Sequence, residues 1–229
     1  MKTSKAKKPM NKNMKLFCKK KLKKPNTYTE IKWYNLFSPI VILLGPNGTG
    51  KSMSINLMKQ ELSKTDNLIV ISYSTTQDDT VKKHTSPFDF RPEAFAAAFL
   101  SEGERMNNSL FTWMNDVMLP AILKERDKEL YIFIDEADSG LSIDKINEAF
   151  RDLIFIVKEE VKRGRRIHVV ITCNSYELAE IFKDEYEIVS YLWVPTNEYI
   201  SLGSYNKFKK RYMEYYKEMN FDETGKRRN

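Results

Sequence analysis

Gly45-Pro46-Asn47-Gly48-Thr49-Gly50-Lys51-Ser52 is the stretch on which the reading of this sequence turns. An apolar run, Ile40 to Leu44, leads into it, and a helical pattern from about Ser52 to Leu62 leads out. The segment fits G-x-x-x-x-G-K-[ST] at every position and sits in the strand–turn–helix setting that the pattern requires. Its glycines let the backbone curl so that successive N–H groups face inward, where they can cradle phosphate oxygens. The following helix adds the positive end of its dipole. Lys51 is placed to reach the β- and γ-phosphates of a nucleotide, and Ser52 to offer its hydroxyl to Mg²⁺.

Downstream, Tyr131-Ile-Phe-Ile-Asp135-Glu136 is an apolar strand that ends in two carboxylates. Taken alone, such an ending is as well explained by ordinary solvent-facing acids. With a phosphate loop upstream it gains a role, because a parallel sheet delivers its strand ends to one side. Asp135 then falls where a Mg²⁺ shell needs an oxygen, and Glu136 where a base can polarise a water for in-line attack.

Between and beyond these motifs the chain alternates. Strand patterns at Leu68–Ser72, Leu130–Ile134, His168–Thr172 and Ile188–Val194 are interleaved with helical ones at Ile143–Lys162 and Tyr176–Phe182. Gly164 closes the longest helix. Helical patterns also cover Glu93–Phe99 and Glu102–Met118, the latter ending at Pro120, with a short one at Ala121–Lys128. Gln77–Pro92 is polar and broken by prolines, hence a loop. Short strands are expected at Met14–Leu22 and Ile31–Phe37, and a basic, aromatic helix at Tyr205–Met219. The fold class is α/β, a mostly parallel sheet flanked by helices.

Leu100-Ser-Glu-Gly-Glu104 opens a predicted helix and by itself reads as a capping sequence. Placed between the phosphate loop and the acidic strand end, it resembles the L-S-G-G-[QE] signature of the ABC ATPases. Glu102 stands where that family has its first glycine. The stretch Asp135-Glu-Ala-Asp-Ser-Gly-Leu-Ser142 is similar to the acidic strand end and following loop of compact heads in the SMC, RecF and OLD groups, with Ser142 replacing the usual aspartate. The resemblance covers most of Ile31–Val194. It implies a P-loop ATPase with a small helical subdomain at about 77–128, working as an ATP-dependent homodimer. Ser101 and Gly103 would then contact the γ-phosphate held by the opposite subunit. It also implies that Gln77 senses Mg²⁺ and attacking water, although a plain loop glutamine fits nearly as well. Asn174 falls where relatives carry a switch histidine; it can hydrogen-bond a γ-phosphate but cannot carry charge, which points to slow hydrolysis.

Charge is lopsided. Residues 1–25 hold eleven lysines and no acid; without them 27 basic residues face 31 acidic ones, so the pI near 9.1 belongs to a tail and residues 26–229 form the ATPase domain. That tail, Arg163-Gly-Arg-Arg166 and the helix at Tyr205–Met219 are candidate nucleic-acid contacts. The bland alternatives are a solvated leader and a packed terminal helix. Cys18 and Cys173 form no disulfide framework or metal pattern, no apolar run is long enough to span a membrane, and no signal-peptide pattern is present, so a cytoplasmic protein is expected. The short separation of Lys51 from Leu100 leaves no room for a long coiled coil, and with the short stretch after Val194 an isolated ATPase head without an appended nuclease is expected. Two functions remain: an ATPase for nucleic-acid transactions or phage–host conflict, and an energising or regulatory subunit, including a transporter-type one, acting on a separate effector protein. Both use ATP and Mg²⁺.

Overall fold

The computed structural model describes residues 38–74, 109–124, 126–138 and 143–218. The expected strands at Met14–Leu22 and Ile31–Phe37, the loop at Gln77–Pro92, the helix at Glu93–Phe99 and the Leu100–Glu104 segment lie outside them, as does the start of the Glu102–Met118 helix.

The elements run β1 (Ile40–Leu44), α1 (Lys51–Leu62), β2 (Leu68–Ser74), a helix over residues 109–124 (α2), β3 (Glu129–Asp135), α3 (Ile143–Lys162), β4 (Ile167–Cys173), α4 (Tyr176–Ile181), β5 (Val189–Trp193), β6 (Glu198–Ile200) and α5 (Tyr205–Glu218). They build a six-stranded sheet in the order β2-β3-β4-β1-β5-β6. The first five strands are parallel and β6 returns antiparallel to β5. This is the expected mostly parallel α/β architecture.

β1 lies inside the sheet, and each of its five side chains is fully buried. Because side chains alternate across a strand, Ile40, Ile42 and Leu44 join the core on one face, and Val41 and Leu43 join that on the other. The first face is covered by α2, α3, α4 and α5 through residues such as Met118, Phe150, Leu178 and Phe208. The second is covered by α1 through Ile55, Met58 and Leu62. Burying a side chain of this size stabilises the fold by roughly 1.5–3 kcal/mol, so helices on both faces fix the sheet, and with it the strand ends that carry the site.

Two local features differ from the sequence expectation. Helix α2 does not stop at Pro120. Its middle turn, Met114–Met118, is π-helical, and the Leu119 N–H bonds to the Met114 carbonyl, after which the α-helix resumes over Leu119–Lys124. Proline lacks the N–H that a regular turn requires; the wider i→i+5 turn just before it changes the local hydrogen-bond register and lets the helix pass through. The short strand β6 was not expected either. At α3, Gly164 (φ 82°) closes the helix as expected: its N–H meets the Val161 carbonyl and the Arg165 N–H meets the Glu160 carbonyl.

Candidate active site

The parallel arrangement brings the C-terminal ends of β1, β3 and β4 to one edge of the sheet. From β1 the chain enters the Gly45–Ser52 loop. Gly45 has φ 153°, and a Cβ there would come within 2.9 Å of the Thr49 hydroxyl and 3.0 Å of Pro195 Cδ, so glycine is required on both counts. The end of β5 closes against the same place through a 2.8 Å bond from Val194 N–H to the Leu44 carbonyl. Gly48 and Gly50 are also left-handed (φ 80° and 89°). Gly50 caps α1 without a side-chain hydrogen bond, which leaves the first N–H groups of the helix available to an anion. The Thr49 hydroxyl donates to the Pro46 carbonyl at 2.8 Å and ties the loop to itself.

Lys51 is buried, and its ammonium donates to the carbonyls of Gly45 (2.5 Å) and Pro46 (3.0 Å). Burial pushes its pKa down to about 8, against the upward pull of Cys173, Asp138, Asp135 and Glu136.

The next residue, Ser52, donates its hydroxyl to Asp135 Oδ1 at 3.1 Å, joining the start of α1 to the end of β3. Between β1 and β3 lies β4, and its Thr172 completes the link. The fully buried Thr172 hydroxyl donates to Asp135 Oδ1 at 2.6 Å and accepts the Glu136 N–H at 2.7 Å. Glu136 sits at φ 54°, a left-handed conformation that costs a non-glycine residue about 1–3 kcal/mol and persists where its surroundings hold it. Thr172 had no sequence signal beyond a β-branched residue at a strand end.

Asp138, the third acid of Asp135-Glu-Ala-Asp138, was also not singled out. Its Oδ2 accepts the N–H groups of Asn174 (2.8 Å) and Ser175 (2.7 Å), fixing the loop after β4. Asn174 is thus held at the same edge, with its Oδ1 buried and unpaired among the described residues. Gln77, Ser101 and Gly103 lie outside the described residues. Among those described, no group of three or more His, Cys, Asp or Glu side chains converges. The oxygens that do meet, the Ser52 hydroxyl and the Asp135 carboxylate, suit a hard divalent cation whose other ligands are phosphate and water.

The basic run after α3 is spent on ion pairs. Arg163 pairs with Glu160 at 2.7 Å, buried Arg165 with Glu160 at 3.4 Å, and Arg166 with Glu129 at 3.3 Å. Lys207 and Lys209 of α5 are exposed, as is Lys210, which pairs with Glu214 at 3.8 Å. No described helix is long and apolar enough to cross a membrane.

A family model described as "AAA domain" matches residues 38–182. Among solved structures, similarity extends to Cdc6p from Pyrobaculum aerophilum, at 18% identity over 67% of this chain and 38% of that one, with a TM-score of 0.36. It extends also to C. elegans PCH-2 (16% identity, 70% of this chain, 37% of that, TM-score 0.32) and to a katanin self-assembly structure (21%, 67%, 40%, 0.30). The chain spans 37–40% of the length of these structures. No curated protein matches. The resemblance to ABC ATPases is corrected at this level: the phosphate loop and acidic strand end are common ground among P-loop proteins, and the Leu100–Glu104 stretch that singled out that group lies outside the described residues. With a match over more than half of its 229 residues, the chain belongs to the AAA-domain family of P-loop nucleoside triphosphatases.

Proposed function

We propose that the chain binds ATP with Mg²⁺ and hydrolyses it to ADP and phosphate. One observation carries this: Lys51, Ser52, Asp135, Thr172 and Glu136 meet at one sheet edge beside an open helix N-terminus. The backbone N–H groups of Asn47–Gly50 and of the start of α1 take the phosphate oxygens, and Lys51 reaches the β- and γ-phosphates. Ser52 and Asp135 would hold Mg²⁺, with Gln77 a further contact. The bound ion would offset charge on the phosphate oxygens. Glu136 orients a water and accepts its proton as the water oxygen bonds to the γ-phosphorus and the bond to the ADP oxygen breaks. Asn174 can donate a hydrogen bond to the γ-phosphate but brings no charge, so turnover is slow.

At the finer level, residues 1–25 serve as a basic tail to the ATPase domain, and a helical subdomain spans about 77–128. The ATP-bound state is a homodimer in which Ser101 and Gly103 act in trans. The work lies in nucleic-acid transactions, met by the tail and by Lys207, Lys209 and Lys210; a separate effector protein is the alternative.

Phosphate release by the full chain and by Glu136→Gln tests the reading. Turnover should fall by about 10²–10⁴ in the variant while ATP stays bound. Undiminished turnover removes Glu136 from the role. Sedimentation of that ATP-loaded variant reads the dimer, a single-subunit species counting against action in trans. Release that DNA and RNA leave unchanged selects the protein-effector alternative.

A further inference from the structure

Helix α5 follows the last strand, well away in sequence from every motif above, yet one of its side chains reaches the site. The helix is moored where it begins: the Tyr176 hydroxyl donates to the Gly203 carbonyl at 3.1 Å, and Phe208 packs against the Tyr176 ring with centroids 5.6 Å apart. One turn on, the Tyr212 ring lies edge-on to Trp193 at 5.1 Å and against Phe208 at 4.6 Å. Arg211 covers the Trp193 ring, its guanidinium 5.5 Å from the centroid. Packed in this way, the Tyr212 hydroxyl donates to the Asn174 carbonyl at 3.0 Å.

That bond holds the loop after β4, and Trp193, against which the ring packs, pairs with Leu44 at the entrance to the phosphate loop. Gly45 opens the phosphate loop, and its carbonyl is held by Lys51. Asn174 belongs to the loop that Asp138 fixes from the other side. Tyr212 therefore ties the loop after β4 to α5, whose Lys207 and Lys209 are exposed. We propose that Tyr212 is a positioning residue of the ATP site: its hydroxyl holds the loop that carries Asn174 in place beside the phosphate loop, so that α5 registers the state of the nucleotide. Burial pushes the Tyr212 pKa well above the ordinary tyrosine range, so the proton stays on the oxygen at any working pH and the bond to Asn174 persists.

The proposal rests on the ATPase reading and makes a separable prediction. Ground-state contacts to ATP come from the phosphate loop, whereas the position of Asn174 matters once the γ-phosphate is attacked. Losing the hydroxyl should therefore lower kcat and leave KM nearly unchanged. Tyr212→Phe keeps the ring and its contacts with Trp193 and Phe208. In the full chain we expect kcat to drop about threefold to tenfold, the loss typical of one hydrogen bond, with KM within about twofold and Tm nearly unchanged. Trp193 supplies a second readout: with Trp33 and Trp113 replaced by Phe, ATP should change its emission when Tyr212 is present and fail to when it is Phe. Wild-type values of kcat and emission response in Tyr212→Phe overturn the proposal. So does a joint loss of Tm, kcat and KM, which marks a packing role only. A wild-type chain that binds no ATP at all overturns the ATPase reading itself and this proposal with it.

Discussion

At the residue scale, Lys51 is the group whose state matters most. An unfolded lysine keeps its proton to near 10.5, while burial lets the folded one release it at about 8. Between these values the unfolded chain binds more protons, so this group's contribution to stability rises with pH across that window. Nucleotide binding runs the other way, because a triphosphate selects the charged ammonium. ATP affinity should be level from about pH 7 to 8 and then weaken by up to about tenfold per pH unit above 8. A titration series whose Kd stays flat to about pH 9.5 would show that the ammonium is not the phosphate contact. The phosphate loop was legible in the sequence because Gly45, Gly50, Lys51 and Ser52 each have a fixed task at a fixed spacing. Thr172 was not, since threonine is an ordinary strand former and only the fold puts its hydroxyl between Asp135 and Glu136. Tyr212 was equally hidden, one of several aromatics in a helical pattern.

Elements were easier to read where periodicity was strong. Helix α3 runs over Ile143–Lys162 as its amphipathic pattern predicts, and Gly164 ends it. Strands β3 and β4 each extend one residue further at both ends than their apolar runs, because Glu129, Asp135 and Cys173 are buried in the sheet as well. Pro120 misled because the π-turn ahead of it depends on backbone geometry that composition does not reveal. The seam between β3 and β4 is where element packing becomes chemistry, and Thr172→Val tests it. Valine conserves the shape but strands the Glu136 N–H and strips Asp135 of a donor. A loss of about 1–3 kcal/mol in unfolding free energy is expected, together with slower phosphate release. Denaturant midpoints and turnover equal to wild type would mean that the Thr172 bonds hold nothing in place.

Across the whole molecule, alternating strands and helices gave the fold class, but strand order is not written in any periodic signal. It is the insertion of β4 between β1 and β3 that lets Thr172 mediate between the phosphate loop and the acidic pair. Charge shows the same limit. Arg163, Arg165 and Arg166 read as a basic cluster in sequence, yet the fold engages them with Glu160 and Glu129. The central claim is that these parts form one ATP site, and calorimetric titration of ATP–Mg²⁺ into the full chain and into Lys51→Ala tests it most directly. Saturable binding to the wild type, weakened by about tenfold or more in the variant, is the predicted result. Equal affinity in the two proteins, or no binding to the wild type, would contradict it.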